Sequence, residues 1–280
     1  MALAFIPSDA TMLVLQAGVV AAPRTPPRVP WLHRLHGRGW ALVPIASIVL
    51  VVFAIRYVSD TATGLTYLAL VAVPPLAAGA LGWAARGARP IAALGAVVLF
   101  IVAWVAKTTL VGEAAAMLLS ALSCVTLGVL LAAVTPPGWL KLGIVLMAGA
   151  DTWLVVSDLL EAPNATLVAA HPTAGLPQLQ SELFGTVSMG YGDLFVAALL
   201  GAVLAADRRR QLTAAVLTLA IAAAFDLLFL VLSELPATVP VALALVIEEL
   251  WRRARRPAIP LVTGLRRGGG REAAASPGDG

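Results

Sequence analysis

Long apolar runs, separated by short polar connections, occupy most of this sequence. A helix that crosses the hydrocarbon core of a bilayer, about 30 Å thick, needs about 20 apolar residues. A chain that is 60% hydrophobic and 12% charged also has too little polar surface to cover a soluble globule. We therefore predict an all-α polytopic membrane protein with eight spans. The predicted spans cover residues 41–57, 62–84, 91–106, 109–134, 139–160, 182–206, 212–233 and 235–251.

A further apolar run at residues 1–23 is interrupted by Pro7, Ser8 and Asp9. It predicts a ninth span, a helix at the membrane interface or a misassigned start of the chain. A secretory signal peptide is disfavoured, because no basic region precedes the apolar run.

The Lys and Arg residues predict the orientation, because they accumulate in cytoplasmic loops. With alternating spans, 17 of the 19 Lys and Arg residues fall on one side, and only Arg56 and Lys107 on the other. The C-terminus is therefore predicted to be cytoplasmic and the loop at 161–181 external. The Ala- and Arg-rich composition indicates a bacterial plasma membrane.

We divide the chain into an N-terminal segment (1–38), a four-span bundle (39–138), four further spans (139–251) and a tail (252–280). The tail is basic next to the membrane and then rich in Gly, Ala, Ser and Pro. This pattern predicts a disordered end whose arginines bind anionic lipid. The positive charge therefore requires no nucleic acid, and the oligomeric state stays open.

No metal and no organic cofactor is predicted. The single cysteine, Cys124, lies inside an apolar run, so the chain forms neither a disulfide framework nor a Cys/His cluster. The histidines, His33, His36 and His171, fall in predicted loops and lack the spacing of metal ligands.

Acidic residues inside or near the ends of the predicted spans are the strongest indication of function. An ionisable group in a bilayer is costly, so it marks either a functional site or a paired structural one. No Lys or Arg lies at a matching predicted depth to neutralise these carboxyls. They are Glu113, Asp151, Asp158, Asp193 and Asp226.

The segment Gly190-Tyr191-Gly192-Asp193 admits three interpretations: a potassium-channel filter, the Gly-x-Gly-Asp of a membrane aspartyl protease, or a helix loosened by glycine. A filter would place Asp193 at the outer face, before a complete inner helix. Asp193 instead lies near the middle of its predicted span, which favours the protease. Asp151 lies near the middle of the preceding span, and antiparallel neighbours could bring these two carboxyls face to face. Asp158, two turns further along the same face, is the second-choice partner.

Two facing carboxyls that share a proton can hydrolyse a peptide bond. The ionised carboxyl activates water, and the protonated one serves the scissile carbonyl and then the leaving amine. Gly190 and Gly192 would let the backbone leave helical geometry, so that an unwound substrate strand could pair with this edge. The alternative is that these glycines only permit close helix packing.

Three motifs in order, within residues 139–251, resemble the presenilin and signal peptide peptidase family of intramembrane aspartyl proteases. They are Asp151 in "GADTWLVVSD", "GYGD" at 190–193 and "ELPATVPVAL" at 234–243. The resemblance implies a presenilin-like core in the C-terminal half, and cleavage of transmembrane proteins or signal-peptide remnants. It implies that Asp151 and Asp193 are catalytic, and that the site is shaped by Gly190, Tyr191, Gly192, Pro236, Ala237 and Thr238.

This sequence departs from the family at two positions. Ala150 stands where the family has the tyrosine of Tyr-Asp, and Thr238 stands where it has the leucine of Pro-Ala-Leu. Two other hypotheses therefore stay open. In a prepilin-peptidase-like protease, "SDLLEAP" would make Asp158 the partner of Asp193. In a proton-coupled transporter or a non-catalytic membrane protein, Glu113, Asp151, Asp193 and Asp226 would form a proton relay or polar helix contacts.

Overall fold

The computed structural model confirms a mostly helical chain. It describes residues 2–26, 35–58, 60–157, 159, 161–170, 172, 175–185, 187–230 and 235–255. Asp158, His33, His171 and the outer part of the predicted tail lie outside the described residues.

The helices follow the apolar runs of the sequence closely. They are α1 (Ala2–Ala21), α2 (Val43–Tyr57), α3 (Thr61–Gly79), α4 (Leu94–Val105), α5 (Leu110–Val134), α6 (Pro137–Val156), α7 (Glu161–Ala169), α8 (Tyr191–Leu204), α9 (Arg208–Phe225) and α10 (Thr238–Ala254). Short helical turns of other types precede α2 and α4 and extend α3 to Ala84 and α9 to Leu230.

Several of these helices have the length and apolar character of membrane spans, as expected for a membrane protein. Within the described residues there are five: Arg38–Tyr57, Thr61–Ala84, Leu110–Val134, Pro137–Val156 and Arg208–Leu228. Pro90–Val105 and Tyr191–Leu204 are apolar but shorter. The predicted number of eight spans is therefore not confirmed.

One predicted span, 182–206, is not a single helix. Its first part forms a β-hairpin of β1 (Ser181–Phe184) and β2 (Val187–Gly190), which pair antiparallel with Ser181 opposite Gly190. Gly185 in the turn has a φ of +62°, a conformation that glycine adopts without strain. Helix α8 begins only at Tyr191. An all-α prediction missed the hairpin because a short apolar run does not distinguish a strand from a helix.

Helix α1 lies within the bundle and packs against α8 and α9. Met12, Gln16 and Val20, four residues apart, form one helical face and are at most 1% exposed. Another face of α1 is free of protein, since Pro7, Ala10, Val14 and Gly18 are exposed. The alternatives for residues 1–23 therefore stay open.

Contacts at both ends show that α6 and α10 run antiparallel. Lys141, in the first turns of α6, pairs with Glu249 near the end of α10. Further along α6, Asp151 accepts a hydrogen bond from Thr238, the first residue of α10. Arg210, at the start of α9, also pairs with Glu249. These ion pairs fix α6, α9 and α10 to one another.

Further basic residues lie around Gln211, whose side chain is fully buried. The amide oxygen of Gln211 accepts hydrogen bonds from Arg86 and Arg208, and its nitrogen donates to the carbonyls of Pro23 and Gly201. We call the region of Arg86, Lys141, Arg208 and Arg210 the basic end of the bundle. It joins the end of α1, the end of α8 and the beginnings of α6 and α9.

Helix α8 occupies the centre of the bundle. Its residues from Leu194 to Leu200, apart from Phe195, are buried, and α5 packs along it. Gly128 of α5 permits this close approach, because a Cβ there would lie only 2.9 Å from the backbone carbonyl of Ala198. The beginning of α8, with the Gly-x-Gly-Asp segment, is therefore held by protein on several sides.

Candidate active site

Asp193 lies in the first turn of α8, where the chain passes from β2 into the helix. The backbone N–H of Gly190 donates a hydrogen bond of 3.0 Å to Asp193 Oδ2. A carboxylate in a first turn also interacts favourably with the helix dipole. Because α8 has 14 residues, its length is about 21 Å, less than a hydrocarbon core of about 30 Å. The C-terminal end of α8 lies at the basic end of the bundle. The first turn of α8, which carries Asp193, therefore lies inside the bundle.

Asp151 lies on α6 and is held by the beginning of α10. Thr238 Oγ1 donates a hydrogen bond of 2.6 Å to Asp151 Oδ2. The backbone N–H of Thr238 lies close to the same carboxyl and, at the start of α10, has no partner within the helix. Thr238 is 2% exposed. The Thr238 hydroxyl is therefore shielded from solvent and hydrogen-bonded to Asp151.

Asp151 and Asp193 face the same cavity and are close enough for the charge of Asp151 to act on Asp193. Every other residue that the resemblance assigned to the site also lines this cavity. These residues are Gly190, Tyr191, Gly192, Pro236, Ala237 and Thr238. The fold therefore brings together three motifs that are separated by up to 87 positions in the sequence.

The cavity has a volume of about 1250 Å³, larger than typical small-molecule sites of about 300–1,000 Å³. Aliphatic and aromatic side chains from α1, α2, α3, α5, α6 and α9 form most of its wall. Its charged lining residues, within the described part of the chain, are all acidic. They are Asp9, Asp151, Asp193 and Asp226.

Asp226, to which the protease hypothesis assigns no role, forms a second carboxyl pair with Asp9 of α1. The two carboxyls are close enough for their charges to act on each other. A proton shared between them would remove that repulsion. Sequence reasoning missed this pair because nothing in the apolar run around Asp9 indicates that α1 packs against α9.

Glu113, the other acid without a role in the protease hypothesis, does not line the cavity. Its Oε2 accepts a hydrogen bond of 2.8 Å from the backbone N–H of Gly185, in the turn of the β-hairpin. Glu113 therefore fixes the hairpin that leads into Gly190 and Asp193.

Removing this acceptor is expected to loosen the hairpin. A hydrogen bond to a charged group contributes about 1.5–3 kcal/mol, and each 1.4 kcal/mol is a factor of ten. In Glu113→Ala, backbone amides of residues 181–190 should exchange with deuterium at least about tenfold faster than in the wild type. Glu113→Gln, which keeps an acceptor oxygen, should lie between the two. Unchanged exchange in the alanine variant would contradict this role.

Helix α5 supplies further polar contacts that sequence reasoning missed. Ser123 Oγ and the Tyr191 hydroxyl are 2.7 Å apart, and Ser120 Oγ donates to the carbonyl of Leu179. Ser120 and Ser123 are three residues apart and therefore share a helical face. This spacing of two serines was the feature of the sequence that could have indicated a polar face on α5. These contacts anchor the chain on both sides of the β-hairpin.

A scan of the sequence against protein-family models finds no match, and neither curated proteins nor solved structures match it. The resemblance to presenilin and signal peptide peptidase therefore rests on the three motifs alone. In the described part of the chain, no three His, Cys, Asp or Glu side chains are grouped so that they could hold a metal ion. The carboxyls of Asp151 and Asp193 can serve as an acid and a base at this site.

Proposed function

We propose that this protein is an intramembrane aspartyl endopeptidase that uses Asp151 and Asp193. The observation that carries the proposal is the meeting of these two carboxyls, from α6 and α8, on one large and mostly apolar cavity. Two carboxyls at close range share a proton, because two negative charges at that distance repel each other. A shared proton supplies an acid and a base at the same place.

The proposed reaction is hydrolysis of a peptide bond by water. The ionised carboxyl removes a proton from water, whose oxygen forms a bond to the scissile carbonyl carbon, while the protonated carboxyl gives its proton to the carbonyl oxygen. When the C–N bond breaks, the amine receives the proton taken from water. A hydroxyl of the intermediate returns a proton to the other carboxyl. Asp151 and Asp193, which we call the dyad, thereby return to their starting protonation states.

The proposed substrates are transmembrane segments of other proteins, including signal-peptide remnants. The apolar wall of the cavity suits an apolar segment, and its volume exceeds what a small molecule requires. All four residues of β2 line the cavity, so an unwound substrate could add a strand beside it. In this proposal the basic end of the bundle faces the cytoplasm, and the arginine-rich tail binds anionic lipid.

The second candidate function is a proton-coupled transporter, which the Asp9–Asp226 pair favours. Both residues line the same cavity as Asp151 and Asp193, and peptide hydrolysis assigns them no role. A series of carboxyls along one cavity is a common feature of proton pathways.

The test is cleavage of a panel of tagged single-span reporter proteins by the purified protein in lipid. The wild type is expected to release two fragments from at least one reporter, and Asp151→Asn to release none. If Asp158→Asn abolishes cleavage and Asp151→Asn does not, the prepilin-peptidase-like pairing is correct instead. A folded wild type that cleaves no reporter but moves protons across vesicles would establish the transporter.

A further inference from the structure

We propose that Thr238 and Gln16 are positioning residues that make Asp151 the base of the dyad and leave Asp193 as its acid. This inference rests on the proposed function and assigns the two roles that the proposal leaves open. Thr238 acts by the direct hydrogen bond of its hydroxyl to Asp151. Gln16, on α1, acts by holding the segment that carries Thr238.

The hydrogen bonds of the two carboxyls are unequal. Asp151 accepts a short hydrogen bond, of 2.6 Å, from the hydroxyl of Thr238, and the backbone N–H of Thr238 lies close to the same carboxyl. In the described part of the chain Asp193 has one protein donor, the N–H of Gly190. An ionised carboxylate is only an acceptor, and each donor that points at it favours the ionised form. The single proton of the dyad therefore resides on Asp193.

Gln16 holds the backbone directly before Thr238. Its Nε2 donates a hydrogen bond of 2.9 Å to the carbonyl of Ala237, the residue directly before Thr238. Gln16 is 1% exposed, and a buried amide is costly unless it is hydrogen-bonded. A continuous chain of contacts thus runs from α1 through Ala237 and Thr238 to Asp151.

These roles define the direction of proton transfer. Asp151 takes the proton of the attacking water, and Asp193 protonates the scissile carbonyl oxygen. When the C–N bond breaks, Asp151 gives the proton to the leaving amine, and Asp193 recovers one from a hydroxyl of the intermediate. Water is consumed, one amine and one carboxylic acid are formed, and no other reactant is required.

The first test replaces the Thr238 hydroxyl by a methyl group of similar size. Thr238→Val is expected to lower kcat about 10- to 100-fold with KM unchanged, and Thr238→Ser to restore kcat to within about threefold. The control is Thr218→Val, because Thr218 is fully buried and its hydroxyl has no partner among the described residues. Wild-type kcat in Thr238→Val, or a failure of serine to restore it, would overturn the inference.

A double-mutant cycle tests the part of Gln16. Gln16→Leu is expected to lower kcat several-fold, and to cause little further loss in the Thr238→Val background, because both act through Asp151. Losses that multiply would show that Gln16 acts independently of Thr238. Thermal unfolding of each variant identifies any loss that comes from destabilised protein.

Infrared spectroscopy separates this inference from the proposed function, because it requires no cleavage. At neutral pH, Asp193→Asn is expected to remove the C=O stretch of one protonated carboxyl. The same band should keep its frequency in Thr238→Ser and Thr218→Val and shift in Thr238→Val. No band lost in Asp193→Asn, or an unshifted band in Thr238→Val, would overturn the assignment even if the reporters are cleaved.

Discussion

Replacement of either Asp151 or Asp193 by Asn is expected to lower reporter cleavage at least about a thousandfold. The reason is that two residues acting as one catalytic unit lose most of its activity when either is removed. Asparagine has nearly the size of aspartate but cannot exchange a proton. The same change at Asp9 or Asp226 is expected to leave cleavage within about tenfold of the wild type, since those residues hold no reacting atom in the proposed reaction.

Asp9→Asn and Asp226→Asn are the matched controls for this experiment. Each removes one acid from the same cavity and disrupts a carboxyl pair of the same kind. Losses confined to Asp9→Asn and Asp226→Asn would move the catalytic centre to the other pair. Equal losses in all four variants would indicate one connected proton pathway and would favour the transporter.

Gly201→Ala is expected to destabilise the bundle by about 1–3 kcal/mol, a typical effect of overpacking. Gly201 lies on α8 where α1 crosses it. A Cβ at this position would overlap the carbonyl oxygen of Val20 and lie 2.9 Å from its carbonyl carbon. Backbone atoms cannot move aside as the end of a flexible side chain can. Helices α1 and α8 would therefore have to separate.

Gly18→Ala, on α1, is the control for this prediction, because a Cβ there would have no atom within 4 Å. Alanine is favoured over glycine in a helix by roughly 0.5–1 kcal/mol, so this variant should be as stable as the wild type or more stable. The free energy of unfolding can be compared by titration with a denaturing detergent in lipid micelles. Equal stability of the two variants would contradict the close contact between α1 and α8.

The sequence predicted the helical architecture because long apolar runs have one common solution in a bilayer. It also predicted which residues meet at the candidate site, through the motifs around Asp151, Asp193 and Pro236. It did not predict the β-hairpin at 181–190, because hydropathy treats a buried strand and a buried helix alike. The predicted number of spans is not confirmed, because Pro90–Val105 and Tyr191–Leu204 are apolar but shorter than the helices that could cross a membrane.

The contacts of single side chains were beyond the sequence because they depend on how the helices pack. Gln16 donates to a carbonyl 221 positions away, and Glu113 accepts from a turn 72 positions away. No local pattern marks either partner. Thr238, noted in the sequence as a departure from Pro-Ala-Leu, proves to be the residue that contacts Asp151. A departure from a motif was here a sign of a specific contact.

The most direct test of the central claim is mass spectrometry of reporter fragments produced in isotopically labelled water. We expect the wild type to cut within the apolar segment and to place one labelled oxygen in the new C-terminal carboxyl, as attack by water requires. Asp151→Asn and Asp193→Asn should give no such fragment. Labelled fragments at an unchanged rate from either variant would contradict the Asp151–Asp193 dyad.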